Sequence, residues 1–213
     1  MRTQPILALL ALTAAGVSAS VLAADTPPTN FYGVVSIGRS KIDADPAAVD
    51  QHNLRGGFTT SVSSSSSGAT GGKFQLGYTL GKTFALEGGY TYLGQANFTS
   101  ITNLGTIGGS KEAWLYNLDL VGKLPVNMQF SVLARFGAYY WKTRNEMPNA
   151  GTKGTATVND NAYDFKAGVG VQYDFTERFA VRGEFERYNG IGKNETTGDS
   201  RVNQLTVGAV LKF

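Results

Sequence analysis

Lys73-Phe74-Gln75-Leu76-Gly77-Tyr78-Thr79-Leu80 divides cleanly by parity: Phe74, Leu76, Tyr78 and Leu80 fall on one side of an extended chain, and Lys73, Gln75, Gly77 and Thr79 on the other. A period of two belongs to a β-strand, whose successive side chains point to opposite faces. The pattern returns down the chain. Phe84, Leu86, Gly88, Tyr90 and Tyr92 oppose Ala85, Glu87, Gly89, Thr91 and Leu93; Trp114, Tyr116, Leu118, Leu120 and Leu124 oppose Asn117, Asp119 and Lys123. Phe130 to Tyr140, Phe165 to Tyr173, Phe179 to Phe185 and Leu205 to Phe213 behave alike, and Phe31, Val35 and Ile37 can share a face in a first strand.

These are eight candidate strands of roughly ten residues, the length that crosses a bilayer at a steep tilt. In a soluble sandwich the charged faces would look out to water and the aromatic faces would meet in a core. Three features favour a membrane barrel instead. Connections alternate between short (Gly81-Lys82-Thr83, Pro125 to Gln129, Thr176-Glu177-Arg178) and long (Lys41 to Gly72, Gln95 to Glu112, Lys142 to Asn161, Asn189 to Ser200). This is the asymmetry of short periplasmic turns and long external loops. Aromatic residues collect at both strand ends: Phe31, Phe84, Phe130, Tyr173, Phe175, Phe179 and Phe213 at one rim, and Tyr90, Tyr92, Trp114, Tyr116, Tyr140, Trp141 and Tyr163 at the other. Amphipathic rings favour such interfaces.

The third feature is an address. Met1-Arg2, the apolar run Ile6 to Val21, and the small-residue exit Val21-Leu22-Ala23 read as a secretory signal peptide. Cleavage is expected after Ala23, with Ala24 as the alternative. The domain plan is therefore 1–23 signal peptide, 24–30 a short N-terminal segment, and 31–213 the barrel. Composition agrees: 42% hydrophobic but only 16% charged residues, with 27 glycines, suits neither an ordinary soluble surface nor a set of helices. The mean hydropathy of −0.13 and a single long apolar run argue against a helical membrane bundle. With no cysteine there are no disulfides, thiol catalysis or thiolate metal sites, and a formal charge of +3 with scattered basic residues gives no nucleic-acid footprint.

Phe31-Tyr32-Gly33, Leu86-Glu87-Gly88-Gly89-Tyr90, Arg135-Phe136-Gly137-Ala138, Gly168-Val169-Gly170-Val171-Gln172-Tyr173, Arg182-Gly183-Glu184-Phe185 and the ending Leu205 to Phe213, in this order, resemble the outer membrane protein A-like eight-stranded barrels, including the small surface barrels of the outer membrane protein X type. The resemblance covers essentially the mature chain. It implies an all-β, antiparallel, up-and-down transmembrane barrel of the bacterial outer membrane. It also implies that the terminal aromatic, Phe213, is read by the barrel assembly machinery during biogenesis. The family's soluble peptidoglycan-binding domain does not follow Phe213, which leaves a cell-wall tether in doubt.

Eight strands enclose a lumen just wide enough for side chains to fill. Counted from the periplasmic ends, Asp119 and Arg135 fall at matching depth with Glu184 near them, and Glu87 and Arg182 one inward position lower. Charges in so narrow a space must pair or hydrate, because an unpaired buried ion costs several kcal/mol. Two readings follow: a static ion-pair plug, or a gate whose partners exchange to admit small ions or solutes. Barrel enzymes that modify lipid need a histidine beside a hydroxyl or carboxylate at the outer rim. The one histidine here, His52, lies in the first long loop near Asp43, Asp45 and Asp50, where a loose cation site competes with a short capped turn at Asp45-Pro46-Ala47-Ala48. The serine run Ser63 to Ser67 reads as a loop tip. Catalytic, cofactor and metal residues are expected to be none. The function expected is structural and surface interaction through four external loops. The expected surroundings are outer-membrane lipid and lipopolysaccharide, a surface ligand at the loops, no nucleic acid, and a monomeric state.

Overall fold

The parity of the sequence is carried into a single closed sheet. The computed structural model describes residues 29–43, 50, 54–55, 57–59, 61–65, 68–103, 105–149, 154–191 and 200–213. The expected signal peptide, Asp45 and His52 lie outside them. The strands are β1 (Phe31–Asp43), β2 (Ser61–Ser65), β3 (Gly68–Leu80), β4 (Phe84–Thr102), β5 (Gly105–Pro125), β6 (Phe130–Asn149), β7 (Gly154–Asp174), β8 (Phe179–Ile191) and β9 (Ser200–Lys212). Their order is β2-β4-β3-β1-β9-β8-β7-β6-β5, and β4 pairs with β5 to close the ring. Every pairing is antiparallel, and the first strand meets the last from Tyr32↔Lys212 to Asp43↔Arg201, as the sequence predicts. Closure leaves no unpaired edge in lipid, where backbone groups have no water to bond.

Parity sets what faces the lipid. Phe74, Leu76, Tyr78, Leu118, Leu120, Phe136, Phe165, Val169 and Leu205 are exposed on the outside, while Gln75, Glu87, Asp119, Arg135 and Lys166 are buried within. Short turns join the staves at the periplasmic end. The Thr176 hydroxyl caps one of them by accepting from the backbone N–H of Phe179 at 3.0 Å, and Asn127 caps another by accepting from that of Phe130 at 2.7 Å.

The external ends depart from expectation in three ways. Gln95 to Glu112 and Lys142 to Asn161 are not loops for most of their length. Here β4 to β7 run on as strands of 19 to 21 residues, while β1, β3, β8 and β9 have 13. The reason is local: Thr, Ser, Asn and Val alternate through these stretches, and each hairpin supplies its own partner strand, so pairing continues beyond the bilayer. Second, part of the first long loop is a strand, β2, which adds to β4 from Ser61↔Thr102 to Ser65↔Phe98. Near it Phe58 is buried, and the backbone N–H of Thr59 donates to Asn103 Oδ1 at 3.0 Å. Third, Trp141 does not stand in the outer rim but inside the lumen, at 1% exposure, because Tyr140 and Trp141 have opposite parity and Tyr140 takes the lipid side.

A bulge in β4 adjusts the upper wall. Tyr92 pairs with Trp114 and Gly94 with Ala113, so Leu93 has no partner on β5. Gly94 sits at φ 94°, a backbone that side-chain-bearing residues rarely adopt, and a Cβ there would lie 2.7 Å from the Ala69 Cβ. Below the bulge odd positions face inward; above it even ones do, so Ala96, Ser100 and Thr102 are buried.

Candidate functional site

The lumen is stacked in three layers. At the periplasmic end Tyr32, Val34, Ala85, Val121, Leu133, Ala180 and Val210 pack together; at the outer end Leu93, Leu115, Tyr139, Trp141, Tyr188, Ile191 and Val202 do, joined by Ala69, Ala96 and Ala113. Between them lies a layer of buried charge.

Arg135, from β6, is its centre. Its guanidinium pairs with Glu87, with Glu184 at 2.9 Å, with Glu186 at 3.0 Å and with Asp119 at 3.5 Å. Arg182 reaches Glu87 at 2.6 Å and Glu184 at 3.7 Å. The structure thus brings together all five charged residues singled out from the sequence. It adds three more. Lys166 lies 2.9 Å from Asp119 and 2.7 Å from Glu186, and Lys73 pairs with Glu184 at 2.5 Å and with Glu186. Four cations meet four carboxylates, so the layer is formally neutral.

Neutral polar groups complete the shell. The Tyr32 hydroxyl donates to Glu87 at 2.7 Å, Asn117 Nδ2 donates to Asp119 at 2.7 Å, and Gln172 Oε1 accepts from Arg182 Nε at 3.0 Å. Gln75 lies between Arg135 and Asp119, accepting from one and donating to the other at 3.3 Å each. The layer is closed below and above by rings that cations face: Arg182 over Tyr32 at 5.7 Å and Lys166 over Tyr188 at 5.2 Å. Long charged chains need space in so narrow a bore, and inward glycines leave it. A Cβ on Gly168 would come within 2.8 Å of Glu186 Cγ and 3.2 Å of Arg135 Cγ, and one on Gly170 within 3.0 Å of Glu184 Cγ.

Two expectations of level are corrected. Glu87 does not lie a position below Asp119, since the two are direct cross-strand partners, and Asp119 does not match Arg135, since Asp119 is opposite Gly137 and Arg135 opposite Val121. Closing a sheet into a barrel staggers neighbouring strands, so Phe84 pairs with Gly122 and not with the end of β5. Depth counted from strand ends misses that offset. Lys73, Lys166 and Glu186 carried a usable signal, since their parity already put them inside; their level did not follow from parity.

At the periplasmic end the barrel opens into a vestibule of about 340 Å³ that passes the lower apolar layer as far as Arg182 and is lined at its mouth by Lys82, Lys123, Asp174 and Lys212. Asp174 bridges Lys123 at 3.1 Å and Lys212 at 2.9 Å across its mouth. Phe213 ends the last strand at the same rim, its N–H donating to the Phe31 carbonyl at 3.0 Å. Among the described residues no group of three or more His, Cys, Asp or Glu side chains is arranged to hold a metal ion.

Residues 7–213 match the family described as "Outer membrane protein beta-barrel domain". The chain is 27% identical over 141 residues to outer membrane protein A of Yersinia pseudotuberculosis, over 65% of this chain and 38% of that protein. It therefore spans well under half the length of that relative. Among solved structures it is similar to Neisserial surface protein A, with a TM-score of 0.60 at 13% identity over 88% of this chain and 100% of that one. It is also similar to Ail, the attachment invasion locus protein of Yersinia pestis, with a TM-score of 0.50 at 15% identity over 87% and 100%. At these identities the likeness is one of fold. With an eight-stave ring, a lipid-facing apolar band and a match over nearly its whole length, the chain belongs to the outer membrane protein beta-barrel family and resides in the bacterial outer membrane.

Proposed function

We propose that this protein is a surface barrel without catalytic activity, anchored by its staves and acting through the structure it holds outside the membrane. One observation carries the reading. A neutral, mutually paired charge layer flanked by two apolar layers fills the bore, while four strands outgrow the bilayer and continue as ordered sheet. Side chains that could have formed a cleft are spent on mutual pairing, so specificity falls to the external part. The charged layer acts in this reading as a static plug, the lipid around the barrel as its solvent, and the barrel as a monomer. Phe213 serves as the mark read by the assembly machinery.

The test compares cells making the intact protein with cells making one that lacks residues 50 to 69. Attachment to host cells and serum sensitivity are expected to change while the heat-dependent gel shift of the barrel persists, because the deletion removes β2 and only the outer tip of β3, and the register that closes the ring lies below it. Mass spectrometry of lipid A is expected to give identical species with and without the protein. A protein-dependent lipid A species lost in His52→Ala would make this an enzyme.

A second reading has its own support. Arg135 touches four carboxylates, and such a hub can exchange partners, which is how a narrow ion pore would open. Planar-bilayer recordings separate the two: a plug passes no steady current, and a large steady conductance in the wild type would favour the pore.

A further inference from the structure

The periplasmic vestibule combines two kinds of wall. Ala85 of β4, Val121 of β5, Leu133 of β6 and Val210 of β9 give it buried apolar surface. A ribbon of hydrogen bonds runs along it from the charge layer to the mouth. Arg182 Nε donates to Gln172 Oε1 at 3.0 Å, Gln172 Nε2 donates to Asp174 Oδ1 at 2.8 Å, and Lys212 donates to the same oxygen at 2.9 Å. At the inner end Arg182 is 3% exposed; its Nε and Nη1 are taken by Gln172 and Glu87, and its Nη2 makes no hydrogen bond with a described residue. A buried donor is ordinarily paired, so this one is offered to whatever enters the cavity.

The mouth is unbalanced in charge. Lys123 lies 3.1 Å from Asp174 and Lys212 2.9 Å, so two ammonium groups share one carboxylate. Lys82, in the turn between β3 and β4, is exposed and has no carboxylate partner among the described residues. Within the lining, two positive charges are therefore left over where the cavity meets the periplasm. Free surface lysines would spread apart; Asp174 holds Lys123 and Lys212 at one place. A volume of about 340 Å³ with apolar walls and a few convergent polar groups is that of a small-molecule site. We propose that the vestibule binds a small organic phosphate monoester from the periplasm, its head at Lys82, Lys123 and Lys212 and its apolar body against Val121, Leu133 and Val210. Such a head carries about two negative charges at neutral pH, matching the two left over, where a carboxylate carries one. An acceptor at the inner end of the body meets the open Nη2 of Arg182. The site faces the periplasm, so it goes beyond the surface reading and does not depend on it.

The test titrates 4-nitrophenyl phosphate onto the full folded chain in neutral detergent, with binding followed by saturation-transfer NMR. Saturable binding is expected, weakening as salt rises. Binding of 4-nitrobenzoate, which lacks one charge, and of inorganic phosphate, which lacks the body, is expected to be about tenfold weaker each. K82Q is expected to lose several-fold in affinity, and the control K142Q, at the opposite end of the barrel, to match wild type. D174N frees the two lysines from their carboxylate and is expected to gain several-fold, where a merely structural Asp174 would give a loss. If D174N does not fold, as judged by its gel shift, K82E in the exposed turn is expected to lose more than K82Q. No saturable binding, equal binding of either comparison anion, or unchanged affinity in the Lys82 variants overturns the proposal.

Discussion

Arg135 satisfies charge on four sides, and its removal is more damaging than the loss of any one bond. Arg135→Ala leaves Glu87, Asp119, Glu184 and Glu186 facing two lysines and Arg182 in a buried layer. It is expected to destabilise the detergent-folded barrel by about 3–5 kcal/mol in urea unfolding. A loss below about 1 kcal/mol would mean that water already screens the layer. Gly168→Ala adds a methyl where Glu186 and Arg135 pass, and is expected to cost about 1–3 kcal/mol by the same measurement. Outside the membrane, Lys111 is buried in the extended part of β5; burial lowers its ammonium to about 8, against the opposing pull of Asp160. The unfolded chain keeps that proton to about pH 10.4. Between those values the unfolded state binds more protons, so the external hairpin gains stability as pH rises. Resistance of the hairpin to an alkaline-tolerant protease should therefore increase from pH 7.5 to 9.5 relative to Lys111→Met, and a constant ratio would refute this. The sequence made the inward face of Arg135 and Gly168 legible, because parity is a local property, but Lys111 falls in a stretch that reads as a loop. Their neighbours were not legible, because contact across the bore depends on a stagger that only closure sets.

The staves themselves were read well where one face meets lipid and poorly where both meet water. Phe74 to Leu80 and Phe165 to Tyr173 separate large apolar from polar residues, and the strands are there. From Gln95 to Glu112 and Lys142 to Asn161 that contrast fades into Gly, Ser, Thr and Asn, the residues of loops, and pairing within a hairpin decides instead. The aromatic cluster at the end of β6 points Trp141 to the outer rim, but its parity turns it into the lumen. The bulge at Leu93 was equally invisible, although its Gly94 stands in the sequence. Gly94→Ala forces an alanine into a left-handed backbone at a cost of about 1–2 kcal/mol. The external ends of β4 and β5 are expected to become sensitive to protease while the gel shift of the barrel below is kept. Loss of the gel shift as well would mean that the bulge is needed for closure.

At the scale of the molecule the ring closes where the chain ends. Phe213 donates to Phe31, accepts from the N–H of Thr29, and lays its ring 3.5 Å from where a Gly33 Cβ would be. Phe213→Ala is expected to lower the amount inserted in the outer membrane several-fold while synthesis is unchanged, as measured by fractionation. Equal insertion would make Phe213 one rim anchor among many. The uneven wall has a mechanical meaning as well. The ladder between β6 and β7 is unbroken from Phe130↔Tyr173 in the periplasmic rim to Asn149↔Gly154 at the external tip. A pull on that tip cannot peel the pairs apart one at a time; it drags both strands along their length and loads the flanking ladders with β5 and β8 in shear. A tug by anything that grasps this hairpin is thus borne by the whole stave, passing through the level of Arg135 and Lys166 to the far side of the membrane.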